Sequence, residues 1–262
     1  MTALVSSFPS TRGVNALRSS AVFIGRSLRH SLRDGEGLIM AIALPVFLLL
    51  MFTYVFGGAI ISEGYVDFVV PGVILTCAAF GASSVAVSVN RDVTLGAMRR
   101  FRTLPIASAT VLAGHVVASV LRNLAATAIV IAVALLIGFR PTATPLEWLG
   151  VLGLVALWIL AITSLFACIG MVSGSPEAAN GYGFTLLFLP YLSSAFVPVE
   201  TMPSWLQPLA THQPMGPLVE SLRALLVGGG EAKVLVSLIW SVGIILVATA
   251  LTVLAFRRSG DR

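Results

Sequence analysis

The sequence predicts an all-α integral membrane protein. Six transmembrane helices are expected, with an amphipathic interfacial helix before them and short extracellular helices before the last span. Three observations predict this. Of 262 residues, 57% are hydrophobic and only 10% charged, whereas a soluble domain carries about 25% charged residues. So little polar surface cannot cover a water-soluble globule, while in lipid apolar side chains face outward. Six apolar stretches approach the ~20 residues that a helix needs to cross a bilayer. The arginines, finally, gather between those stretches. One bundle uses most of the chain: a cytosolic N-terminus over 1–37, a membrane domain over 38–256 and a cytosolic tail over 257–262.

The N-terminal segment Val14–Arg33 has helical periodicity. Val14, Leu17, Ala21, Ile24, Leu28 and Leu32 form an apolar stripe, and Arg18, Arg26, Arg29 and Arg33 a basic one. Such a helix lies in the interface with its arginines toward anionic head groups; a solvated leader is the plainer alternative. No signal-peptide pattern is evident, so the first span is expected to remain as an anchor. The spans are predicted at Leu38–Ile61, Phe68–Val89, Val111–Phe139, Leu149–Val172, Ala178–Val197 and Val234–Phe256. The fifth is the shortest and contains Pro190. The third carries His115, Arg122 and Asn123, which are costly at the bilayer centre. His115 and Arg122 are seven residues apart and share a helical face, expected to meet protein or water rather than lipid.

Orientation follows from Lys and Arg. Twelve of the 16 lie before the first span, between the second and third, or after the sixth. The positive-inside rule therefore puts both termini in the cytosol of a multi-pass plasma-membrane protein. The long outer loop from Pro198 to Ala232 is rich in proline and holds Trp205, a residue that favours the interface. Pro217 can open a helix there, with Gly228–Gly230 ending it. Arg223 is expected to support the fold of this loop rather than to touch substrate.

Several chemistries are missing from the sequence. The only lysine, Lys233, follows Gly228-Gly229-Gly230-Glu231-Ala232 and precedes Val234, which does not match a phosphate-binding loop. ATP hydrolysis by this chain is not expected. His30, His115 and His212 fall in separate segments, and Cys77 and Cys168 lie in apolar runs, so no metal site is expected. No paired carboxylates lie within a span, as proton-coupled carriers usually require, and no nucleophile–base pair marks an enzyme. The net charge of +5 is read as membrane orientation rather than nucleic-acid binding. A secondary multidrug carrier, or an integral membrane enzyme acting on lipid-like substrates, is the alternative to a permease.

The cytosolic element from Asn90 to Ser108 is short, basic and amphipathic. Its Phe101 and Leu104 beside arginines suit docking into a partner's groove; a positive-inside loop without a partner fits the composition equally. Gly96-x-x-x-Arg100-Phe101-Arg102-x-Leu104-Pro105, followed by Val111-Leu112-x-Gly114, resembles the permease subunits of ABC-2 type exporters of the daunorubicin-resistance branch. Asp67-Phe68-Val69-Val70-Pro71-Gly72 is similar to that branch's approach to the second span. Pro203-x-Trp205-Leu206, Gln213-Pro214, Leu222-Arg223-Ala224-Leu225 and Gly228 are similar to its last outer loop. Two positions depart: Arg99 stands where an acidic residue is expected, and His115 where arginine is more usual.

The resemblance implies a dimer of permease chains, alike or paralogous, above two cytosolic ABC ATPase subunits. ATP and Mg would sit on those subunits, and no cofactor on this chain. Asp92, Gly96, Arg99, Arg100, Phe101, Arg102, Leu104 and Pro105 would form the coupling helix. A seam between the first, second and fifth spans would open outward for amphipathic drugs, secondary metabolites or lipid-like molecules. Phe52, Tyr54, Ser83, Ser84, Tyr182 and Tyr191 are the candidate substrate path. A mainly apolar wall with few polar groups suits such ligands, although small hydroxyl residues also mediate ordinary helix packing.

Overall fold

The computed structural model describes residues 35–61, 64–94, 108–228 and 230–258, with side chains for 39, 42–61, 64–94, 116–228 and 230–255. The described elements are all helical. Helix α1 (Gly35–Met51) runs on through a π-helical stretch, Phe52–Phe56, and a last turn, Gly57–Ile60. Then follow α2 (Tyr65–Thr94), α3 (Ser108–Ile137), α4 (Pro145–Val172), α5 (Pro176–Leu186), α6 (Gln207–His212), α7 (Met215–Val227) and α8 (Val234–Arg258). Among the described residues, five stretches are long and apolar enough to cross a membrane: Ile42–Ile60, Tyr65–Thr94, Val116–Ile137, Pro145–Val172 and Val234–Ala255. They answer to five of the six expected spans.

The fifth expected span, Ala178–Val197, is not one helix. Helix α5 stops at Leu186 after 11 residues, which is about 16 Å of rise and well short of a bilayer core. The chain then forms a 3₁₀ turn at Leu189–Leu192 with Pro190 at its start. Proline has no N–H to continue an α-helix. Hydropathy alone could not reveal this break, because Leu186–Val197 stays apolar in composition while its backbone turns.

Helix α2 is the axis of the bundle. It packs most extensively against α4 and also touches α1, α3, α5 and α7. Val69, Val70, Val73, Ile74, Leu75 and Cys77 are all fully buried. Trp158 of α4 is buried against it and donates its indole N–H to the Leu75 carbonyl at 3.3 Å. Small residues permit this closeness, as expected where helices pack in lipid. A Cβ at Gly170 of α4 would collide with the Ala86 carbonyl of α2, and one at Gly81 of α2 with the Asn123 amide of α3.

Three helix ends are closed by side chains, at both ends of α4 and at the start of α5. Thr144 and Glu147 cap each other's backbone at the start of α4, with Pro145 in the first turn, a capping box. Ser175 accepts from Ala178 N–H at the start of α5. Helix α7 ends at Gly228, whose φ of 76° is a left-handed value that suits glycine. It includes Pro217 in its first turn, as the loop sequence predicts. Asn90 was expected in a loop after the second span. Instead α2 continues to Thr94, and Asn90 is fully buried. Its amide donates to the carbonyls of Gly170 (3.0 Å) and Ser173 (2.7 Å), satisfying orphan acceptors at the end of α4. Arg18, Arg26, Arg29 and Arg33, expected on an interfacial helix, lie outside the described residues.

Candidate functional site

Helices α1, α2 and α5 leave an open groove of about 230 Å³ between them, lined by Leu44, Phe80, Phe184, Leu187, Phe188 and Tyr191. Its lining is almost wholly apolar, and aromatic rings continue it along one edge. Phe184 meets Phe188 edge-on at 5.3 Å. Tyr191 stacks on Phe196 at 4.9 Å, and Phe196 on Phe52 at 4.5 Å. The ring series thus crosses from α5 to the π-helical stretch of α1. Such offset and edge contacts each contribute about 1 kcal/mol beyond area burial.

One helical turn beyond Phe80, α2 carries two hydroxyls. Ser83 donates to the Phe80 carbonyl at 2.7 Å. Ser84 accepts from Arg122 Nη2 at 2.7 Å, and the same nitrogen reaches the Gly81 carbonyl at 3.0 Å. Arg122 is only 8% exposed. At Arg122 the expectation of protein or water rather than lipid is met, with α2 as the protein, while the side chain of His115 lies outside those described.

The aromatic wall at Tyr191 and Phe196 belongs to the irregular segment after α5. In lipid, non-helical backbone needs protein partners for its polar groups, and three side chains supply them. Tyr65 Oη donates to the Phe196 carbonyl at 2.7 Å. Gln213 Nε2 donates to Leu192 (2.6 Å) and Leu189 (3.1 Å) carbonyls. Arg223 Nη2 donates to the Ser194 carbonyl at 2.7 Å and the Phe68 carbonyl at 3.0 Å. Its guanidinium also lies 3.8 Å over the Phe68 ring, a cation–π contact. Burial pushes the Arg223 pKa down to about 10, against the opposing pull of Glu220, Glu200 and Tyr65. Pro71 lies in the first turns of α2, where it weakens the local carbonyl ladder beside the Phe68 carbonyl that Arg223 takes. Gly72 gives the turn room: a Cβ there would fall 2.6 Å from the Cβ and carbonyl oxygen of Ala195.

The six candidate path residues divide. Phe52 and Tyr191 meet through Phe196, and Tyr191 lines the groove. Ser83 and Ser84 lie further along α2, with Ser84 held by Arg122. Tyr54 and Tyr182 are exposed, at 68% and 62%, and neither lines the groove. Of the expected coupling residues only Asp92 is described, half-buried in the last turn of α2. Gly96, Arg99, Arg100, Phe101, Arg102, Leu104 and Pro105 lie outside the described residues. The sequence reading missed Phe80, Phe184, Phe188, Phe196 and Tyr65. The i,i+4 pair Phe184 and Phe188 was a readable sign of an aromatic face.

Five span-length apolar helices among the described residues mark a multi-pass integral membrane protein. The chain belongs to the ABC-2 type transporter family, which matches residues 20–227. It is 33% identical over 222 residues to the daunorubicin resistance ABC transporter permease protein DrrB1 of Streptomyces coeruleorubidus, covering 84% of this chain and 76% of that one. It is 24% identical over 241 residues to the probable doxorubicin resistance ABC transporter permease protein DrrC of Mycobacterium tuberculosis, covering 89% and 86%.

Proposed function

We propose that this chain is the permease subunit of an ATP-binding cassette exporter that moves amphipathic drugs, secondary metabolites or lipid-like molecules out of the cell. A separate cytosolic ATPase drives it, and a second permease chain completes the membrane unit. The observation that carries this reading is the aromatic groove between α1, α2 and α5 in a member of the ABC-2 family. The names of the relatives favour drug-like cargo. A groove with aromatic walls and hydroxyls one turn away binds planar, mostly apolar ligands and leaves their polar ends in reach of hydrogen bonds.

The topology of the proposal has six crossings, five as long helices and the fifth as α5 plus its irregular continuation. Hydrogen bonds support it. The start of α5 lies near the end of α4 that Asn90 caps, while Ser194 is bonded to Arg223 beside the start of α2. The chain therefore passes from one end of the bundle to the other between them. An even number of crossings puts both termini on one side, and the basic residues make that side cytosolic. The stretch from Asp92 to Pro105 then faces the ATPase and couples to it.

Reconstitution tests the reading. Purified protein with its ATPase subunit, in proteoliposomes, should move a fluorescent aromatic amphiphile only when ATP and Mg are supplied. Transport by this chain alone, without nucleotide or companion, would overturn it.

A further inference from the structure

The two walls of the groove's aromatic edge are anchored very differently. On one side, the turn carrying Tyr191 and Phe196 is tied by Tyr65, Gln213 and Arg223 through carbonyls at Leu189, Leu192, Ser194 and Phe196. Its backbone also presses on Gly72. On the other side, Phe52 belongs to α1, and only its ring meets Phe196. Among the described residues, no hydrogen bond joins Phe52–Ile60 to another element. That stretch packs chiefly on the start of α2.

Helix α1 has two breaks in its regular ladder. Pro45 lies within it, and Phe52–Phe56 is π-helical. Proline and π-bulges are the common causes of helix bending, and π-bulges recur at functional sites. The buried Thr53 hydroxyl inside the π stretch has no partner. That costs free energy which a different conformation of α1 could recover.

We infer that Phe52, Phe196 and Tyr191 form the outer gate of the groove, opened by bending of α1 at Pro45 and Phe52–Phe56. Tyr65, Gln213 and Arg223 act as positioning residues that hold the opposite wall still. The inference rests on the exporter reading. Opening separates the Phe52 ring from Phe196 and frees the groove toward the Arg223 end of the bundle. The turn itself stays in place, because moving it would strip several carbonyls of their donors at once.

Two experiments test this with the permease–ATPase complex in lipid. First, Phe52→Cys with Phe196→Cys, in a background carrying Cys77→Ala and Cys168→Ala, is bridged by a short methanethiosulfonate cross-linker. Bridging should cut ATP-dependent transport about tenfold or more, as for a gate held shut, and reduction should restore it. A disulfide between Ser221→Cys and Ser237→Cys, whose hydroxyls lie 3.1 Å apart in the native protein, joins parts that stay still and should leave transport unchanged. Undiminished transport by the bridged gate pair, or equal loss from both pairs, overturns the inference. The exporter reading survives either result, since the unbridged protein reports on it separately. Second, spin labels at the exposed positions Tyr54→Cys and Trp205→Cys avoid the gate's interior, in case the first pair folds poorly. With labelled protein diluted into unlabelled, their distance should lengthen when the ATPase is trapped with ATP and vanadate. An unchanged distance overturns the inference as well.

Discussion

Arg223 and Gly81 show how single residues set this fold. Arg223 gives charge-assisted hydrogen bonds to two carbonyls from distant parts of the chain, Phe68 and Ser194. Bonds to charged groups contribute about 1.5–3 kcal/mol, and orphaned carbonyls add a penalty. Arg223→Ala should therefore lower the thermal midpoint of the detergent-solubilised protein by several degrees. Arg223→Lys should recover only part of it, because an ammonium lacks the planar fork that serves both carbonyls at once. Thermal unfolding by intrinsic fluorescence checks the order. Gly81→Ala should be destabilising by about 1–3 kcal/mol through overpacking, since its Cβ meets the Asn123 amide. The obstacle is a side chain, so Asn123→Ala should remove most of that penalty in a double-mutant cycle. Gly72→Ala should have no such single-residue rescue, because its Cβ meets the backbone of Ala195. Equal penalties for Gly81→Ala in both backgrounds would contradict this packing.

At the scale of elements, what the sequence made legible follows from what hydropathy measures. The five continuous spans were readable because α-helices satisfy their own backbone, so a long apolar run in lipid has one solution. The fifth expected span was not readable as it folds, because its solution is tertiary. Pro190 stops the helix, and the freed carbonyls find donors in Gln213 and Arg223, more than 20 residues away along the chain. The motif Asp67-Phe68-Val69-Val70-Pro71-Gly72 could be matched in sequence, yet its physical purpose appears only when Gly72 and Phe68 meet that turn. Asn90 was misplaced for a similar reason: a polar residue near a span's end looks like loop until its carbonyl partners on α4 are seen. The element joining α2 to α3 bears the next prediction. Phe101 and Leu104 are apolar residues in a basic, proline-ended segment, suited to anchoring in a partner's groove. Phe101→Ala with Leu104→Ala should sharply reduce co-purification of the ATPase and ATP-dependent transport, while membrane insertion stays normal. Normal transport by this double variant would argue against the docking role.

For the whole molecule, the discriminating question is whether α5 with its irregular continuation crosses the bilayer or dips in and returns. The continuation's backbone is irregular, so composition does not decide, while the bonds at the two ends of the stretch favour a crossing. Ser175 opens α5 just after Ser173, which shares the Asn90 amide with Gly170. The segment's far part is bonded to Tyr65 and Arg223, beside the first turns of α2. Helix α2 is about 45 Å long at 1.5 Å per residue over its 30 residues, which exceeds a hydrocarbon core of about 30 Å. A stretch tied near both ends of such a helix is expected to traverse the bilayer with it. On that expectation the residues beyond it lie opposite to α5's start, with Lys233 and Glu220, ion-paired at 2.8 Å, on the same far side. Labelling in intact cells makes this measurable. A cysteine at the exposed Trp205, in a background without Cys77 and Cys168, should react with a membrane-impermeant maleimide added outside. A cysteine at Glu177, exposed in the first turn of α5, should react only after permeabilisation. If both reacted from the same side, the segment would be a re-entrant dip, the crossings would be odd in number, and the shared cytosolic placement of the termini would fall with them.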